Sequence, residues 1–243
     1  MTVPAALRAL GEDALGLFAG RNGKVSVYLL AALLLQAGYW YLGSPGPYLL
    51  GGVARTLPTA LVNIGWALGL FLMVPLLLMM VLGDSPRQAG LRLGDWRFGW
   101  RVTAVGAVVA VLLMAVGARD AAVQAAYPWS GEWPAMTLWH LPAWAALYAL
   151  YYLSFEFFYR GFMLRVLEPT WGVGAALWMQ TIASVLVHLG KPPAETLAAI
   201  PAGIIFGLLA VRSRSIVWPI LLHLVVGLAT DLFSLAYQGR LFA

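Results

Sequence analysis

The chain has 243 residues, of which 62% are hydrophobic and 10% charged, and its mean hydropathy is +0.82. A soluble domain carries about 25% charged residues, so this composition excludes a water-facing shell and places the chain in a bilayer. The absence of cysteine excludes disulfides, thiolate metal sites and a cysteine nucleophile. The net charge of +5 is scattered over short loops, which argues against a nucleic-acid partner.

The apolar runs are long and unbroken rather than alternating in the ~10-residue segments of a membrane barrel. Helices therefore satisfy the backbone in lipid, and the fold class expected is an all-α polytopic membrane protein of seven to eight transmembrane helices. Residues 1–24 read as an interfacial segment: within PAALRALGEDALGLFA, Leu7, Leu10, Leu17 and Phe18 fall at roughly helical spacing, with Glu12 and Asp13 elsewhere on the wheel. Runs long enough to cross are expected near 25–43, 57–82, 100–118, 137–157, 173–189, 196–211 and 216–236. The fourth continues as helix to about residue 168. Polar or turn-rich connections separate them: GSPGP at 43–47, 83–100, YPWSGEWP at 127–134 and SRS at 213–215. The whole of 1–243 reads as one integral membrane domain.

With seven spans and a cytoplasmic N-terminus, Arg8, Arg21, Lys24, Arg87, Arg92, Arg97, Arg101, Arg160, Arg165, Arg212 and Arg214 lie inside. Arg55, Arg119, Lys191 and Arg240 lie outside. The positive-inside rule favours that orientation, in a plasma or inner membrane.

Ionisable residues in the later spans are few: Glu156, Arg160, His188, Glu195, His223 and Asp231. Each is costly in hydrocarbon, so each should face the bundle interior with a partner. Glu156 and Arg160, in SFEFFYRGFML, stand four apart and can meet on one helix face. A structural ion pair would explain those two alone. The set is more telling, since a carboxylate and two histidines on three helices supply acid–base chemistry near neutral pH. Asp231, two turns after His223, is a candidate to hold that imidazole. Glu156, His188 and His223 could alternatively ligate zinc, but no H-E-x-x-H helix favours it, and the expectation is no cofactor. Neither a phosphate loop nor a G-x-S-x-G elbow occurs. Ser154 and Ser184 are expected to bond back to their own helices, and His140 to sit at the interface beside Trp139 and Trp144.

SFEFFYRGF at 154–162, VLVHLGKP at 185–192 and VWPILLHLVVG at 217–227 resemble the three motif regions of the CPBP family. These are the CAAX prenyl endopeptidase and bacteriocin-processing (Abi-type) intramembrane proteases, and the similarity runs over about 83–235. The resemblance implies glutamate-based peptide-bond hydrolysis inside the membrane. Glu156 and Arg160 match the second glutamate and the arginine of the first motif, and His188 and His223 match the two histidines. Phe155 falls where the family carries its first glutamate, the general base. Ser184 replaces the phenylalanine of the second motif, and Gly227 the Asn or Asp of the third.

Successive helical side chains point about 100° apart, so Glu156 can replace that base only through helix rotation or a local bulge. Glu195, seven after His188, could complete the site or simply complement a helix N-terminus. The expected mechanism has Glu156 activating water, Arg160 orienting it, and His188 and His223 donating to the oxyanion. Pro201 and Pro219 are the expected helix breaks around a cavity. The expected partners are membrane lipid and a membrane-associated, possibly prenylated peptide or protein substrate. Two alternatives stand beside this: a catalytically silent relative acting as scaffold or immunity protein, and a proton-coupled transporter.

Overall fold

A computed structural model describes residues 3–43, 55–135, 137 and 139–241, with the side chains of Arg21 and Asn22 excepted. Most of the GSPGP connection lies outside the described residues. The elements are α1 (Val3–Gly16), α2 (Gly20–Leu42), α3 (Leu57–Val81), α4 (Trp96–Gly117), α5 (Ala121–Ala126), α6 (His140–Glu156), α7 (Leu164–Leu186), α8 (Pro193–Ser213) and α9 (Val217–Tyr237). No strand occurs among the described residues. The protein is all-α.

Among the described residues, five helices are long and apolar enough to cross a membrane: Gly23–Leu42, Leu57–Val81, Trp96–Gly117, Pro193–Ser213 and Val217–Tyr237. They account for five of the seven expected spans. The other two are helical but of different build. α6 has 17 residues and runs through a π-helical turn, Phe157–Met163, directly into α7. α7 carries Arg165 and Glu168, paired at 2.9 Å, and Pro169, and its helix is interrupted at Gly172. Gly172 has φ +77°, a conformation that a residue with a Cβ adopts at a cost. The helix thus does continue past 168, and the break comes at a glycine. The expected breaks at Pro201 and Pro219 are not used: Pro201 lies within continuous α8, and Pro219 lies in the first turn of α9. A proline in a first turn removes an N–H that has no intrahelical partner anyway.

α6 and its π turn form the centre. Trp144, Tyr148, Tyr151, Tyr152, Phe155 and every residue from 157 to 163 are buried. Apolar and aromatic residues all round a helix mark it for full enclosure. α3 contains a second π turn, Leu68–Met73, and the two meet where Phe71 stacks on Phe158 at 4.3 Å between ring centroids. Lipid gives helices no hydrophobic reason to associate, so close approach depends on small residues. Gly203 and Gly207 on α8 lie against Thr181 and Gln180 of α7, and Gln180 Nε2 donates to the Gly203 carbonyl at 3.0 Å. α1 buries none of its residues, as an interfacial helix would.

Candidate active site

Glu156 ends α6 and is 0% exposed; Arg160, in the π turn, is 2% exposed. Arg160 Nη1 donates to Glu156 Oε1 at 3.2 Å. His223, from α9, donates through Nδ1 to the same oxygen at 2.6 Å. One carboxylate oxygen thus holds a residue four along its own chain and a residue from another helix. Glu156 Oε2 and Arg160 Nε are buried without a hydrogen-bond partner. The ion pair therefore keeps one open acceptor and one open donor.

Aromatic rings enclose the pair. The Arg160 guanidinium carbon lies 5.7 Å from the Phe155 centroid, 5.8 Å from Tyr159 and 5.5 Å from Phe206, within cation–π range. His223 stacks on Tyr152 at 4.1 Å and meets Phe206 edge-on at 5.2 Å. The approach of α9 to α6 depends on Gly227, because a Cβ there would overlap the Tyr152 hydroxyl.

His188 lies just beyond the end of α7. It is not hydrogen-bonded to Glu156. Its Nδ1 donates to the Ser184 carbonyl at 2.6 Å, and because a carbonyl can only accept, that bond fixes Nδ1 as the protonated nitrogen. Neutral His188 therefore presents a bare Nε2. Phe155 stands between the two imidazoles, with its ring edge-on to His188 at 5.9 Å and to His223 at 5.3 Å. Of the two histidines, His223 alone bonds Glu156.

A second polar group adjoins His188. Glu195 Oε1 accepts from Lys191 Nζ at 2.8 Å and from the Tyr127 hydroxyl at 2.6 Å, while Thr196 Oγ1 donates to the His188 carbonyl at 2.8 Å. Burial, with the Glu195 carboxylate beside it, pushes the Tyr127 phenol well above its ordinary range, so Tyr127 keeps its proton and serves as donor. Glu195 is therefore tied into the bundle as well as sitting in the first turn of α8.

Asp231 does not hold His223. Its carboxylate accepts from Trp144 Nε1 at 2.7 Å and from the Tyr148 hydroxyl at 3.4 Å. The physical reason is rotational: eight residues along α9 exceed two full turns by about 80°, which carries Asp231 from the face of His223 to that of α6's first half. Ser154 and Ser184 bond back to the carbonyls of Leu150 and Thr181. His140 packs on Trp133 and bonds Thr137, away from the site. Among the described residues, no three His, Asp or Glu side chains are grouped closely enough to hold a metal ion. Of the alternative zinc ligands, Glu156 and His223 meet, whereas His188 bonds the Ser184 carbonyl. Tyr152, Tyr127, Lys191 and Phe206 join the site without having been singled out in the sequence. Aromatic residues are too common in this chain for any one of them to stand out.

All three motif regions lie on the stretch from α6 to α9, and the family comparison matches there: residues 136–229 fit the model of type II CAAX prenyl endopeptidase Rce1-like proteins. This segment is similar to that family. The matched segment is narrower than the 83–235 over which the motifs resemble the family, and it contains the whole Glu156–Arg160–His223 cluster as well as His188 and Glu195. No curated protein and no solved structure matches the chain.

Proposed function

We propose that this protein is an intramembrane endopeptidase in which the Glu156–Arg160 pair performs peptide-bond hydrolysis. The observation that carries this reading is the pair's open acceptor and open donor, Glu156 Oε2 and Arg160 Nε, both buried. Water bound at Oε2 gives a proton to Glu156 as its oxygen attacks the scissile carbonyl carbon. Arg160 Nε–H donates to the oxyanion that forms, in a low-dielectric setting where such stabilisation is strong. Collapse breaks the C–N bond, and the leaving amine takes the proton from Glu156. His223 fixes the carboxylate through Oε1. The role of oxyanion donor first expected for the histidines passes to Arg160, because both Nδ1 protons are engaged and each Nε2 donates only in the imidazolium form. Glu156 is fully buried, so substrate entry requires the packing around it to open. The substrate is a membrane-associated peptide or protein, the membrane is the plasma or inner membrane, and the N-terminus faces the cytoplasm.

Purified protein incubated with prenylated and plain peptides tests this by mass spectrometry. Cleavage by wild type should fall at least about a hundredfold in Glu156→Gln and in Arg160→Lys, with His223→Ala impaired as well. Cleavage that persists in all three would overturn the assignment.

A second reading rests on Phe155, whose ring fills the space between the imidazoles where the family carries its base. Under it the chain is a silent membrane scaffold. In that case wild type cleaves nothing and Phe155→Glu creates activity.

A further inference from the structure

Away from the buried site, a recess of about 460 Å³ opens on the protein surface, lined by Arg92, Gly94, Asp95, Arg212 and Arg214. The loop before α4 and the turn between α8 and α9 form its walls, and four bonds join them. Asp95 N donates to the Ser213 carbonyl at 2.7 Å and Ile216 N to the Gly90 carbonyl at 3.0 Å. Trp218 Nε1 donates to the Leu93 carbonyl at 2.9 Å and Arg92 Nε to the Arg214 carbonyl at 3.1 Å. Gly94, at φ +59°, lies so close to Ser213 that a Cβ would overlap its carbonyl oxygen. This is a built site rather than a chance gap between loops.

Its electrostatics are one-sided. Three guanidiniums line the recess, and none of them takes part in an ion pair among the described residues. The one acid in the lining, Asp95, accepts from Phe98 N as the cap of α4. Like charges held together by a braced backbone repel, and an anion between them relieves that repulsion. Arginine's planar fork matches a phosphate in particular. Trp96 and Trp100, exposed one turn apart beside the recess, are residues of the membrane–water interface. They put the recess at headgroup depth, where basic pockets between membrane helices take anionic headgroups.

We infer that the Arg92–Arg212–Arg214 recess binds a phosphate group, supplied by an anionic lipid headgroup or by a soluble phosphate. Neither this site nor its test depends on the endopeptidase reading.

The full chain in mild detergent is titrated with phosphatidylglycerol and followed by native mass spectrometry, and separately with inorganic phosphate and followed by thermal unfolding. Arg92→Gln/Arg212→Gln/Arg214→Gln is compared with an equal charge change on exposed arginines outside the recess, Arg87→Gln/Arg97→Gln/Arg101→Gln. The recess variant should retain phosphatidylglycerol at least about tenfold less well than the control set, because it also loses the charge-assisted hydrogen bonds of the forks to the phosphate. Unchanged lipid retention, with a phosphate-induced rise in melting temperature lost in the recess variant alone, assigns the site to a soluble phosphate. Arg212→Lys, which keeps the charge and loses the fork, gives a severalfold loss and serves if the triple variant does not fold. Equal losses in the recess and control sets, or no loss in either measurement, overturn the site.

Discussion

Tyr152 occupies the volume that any side chain at Gly227 would need. A Cβ at 227 would overlap the Tyr152 hydroxyl and come within 2.8 Å of the Tyr148 ring. The same approach of α9 to α6 stacks His223 on Tyr152 and brings its Nδ1 to Glu156. The CPBP pattern has Asn or Asp at this position, and here neither would fit beside Tyr152 without a shift. Gly227→Asn should cost about 1–3 kcal/mol, the usual scale of overpacking, when thermal unfolding is followed in detergent. Adding Tyr152→Ala should recover part of that loss. Strictly additive losses in the double variant would show that the two positions do not share this space.

The Glu156–Arg160 pair is buried on both sides, with side-chain exposures of 0% and 3%. Removing one partner strands a charge, which costs about 3–5 kcal/mol, whereas replacing both with apolar residues of similar size is often close to neutral. Glu156→Leu should therefore destabilise the fold strongly, and Glu156→Leu/Arg160→Met much less. Equal unfolding temperatures for the single and double variants would mean that water already reaches the pair.

Asp231 is an acceptor for Trp144 and Tyr148 rather than an orienting group for His223. Asp231→Asn keeps an acceptor and should change stability by less than about 1 kcal/mol. Asp231→Leu should cost about 1–3 kcal/mol by leaving the indole N–H and the phenol unpaired. Peptide cleavage should survive Asp231→Asn at near wild-type rates. A cleavage rate that collapses in Asp231→Asn while the protein stays folded would return Asp231 to the catalytic site.

Tyr127 and Lys191 converge on one oxygen of Glu195. Tyr127→Phe removes a hydrogen bond to a charged acceptor and should cost about 1.5–3 kcal/mol, while Lys191→Met should lower stability as well, because Glu195 loses its counter-charge. If Tyr127 and Lys191 act through the shared carboxylate, a double-mutant cycle will show coupling of at least about 0.5 kcal/mol. Independent effects would separate the phenol from the ion pair.

The polar residues of the site were legible because hydrocarbon tolerates so few of them: Glu156, Arg160, His188, Glu195, His223 and Asp231 stand out in apolar runs and all proved buried or half-buried. Their partners were not legible. His223 and Asp231 were read together from spacing, yet one reaches Glu156 and the other Trp144, because the 3.6-residue period separates them by a rotation that a linear reading understates. The π turn at Phe157–Met163 was not legible, since nothing in FFYRGFM distinguishes it from a continuing α-helix. Helix rotation or a local bulge was required for Glu156 to replace a base at 155. The π turn begins one residue after Glu156, and Phe155 keeps the place between the histidines.

By itself the sequence determined the solvent, the helical class and which side chains had to be sheltered, because burying backbone and charge in hydrocarbon is so costly that composition alone dictates the response. The tertiary structure decided which sheltered groups meet. That choice depends on helix rotation, on an extra residue in a π turn and on one glycine that lets α9 approach α6, each a matter of a few ångströms that no pattern of apolar residues encodes.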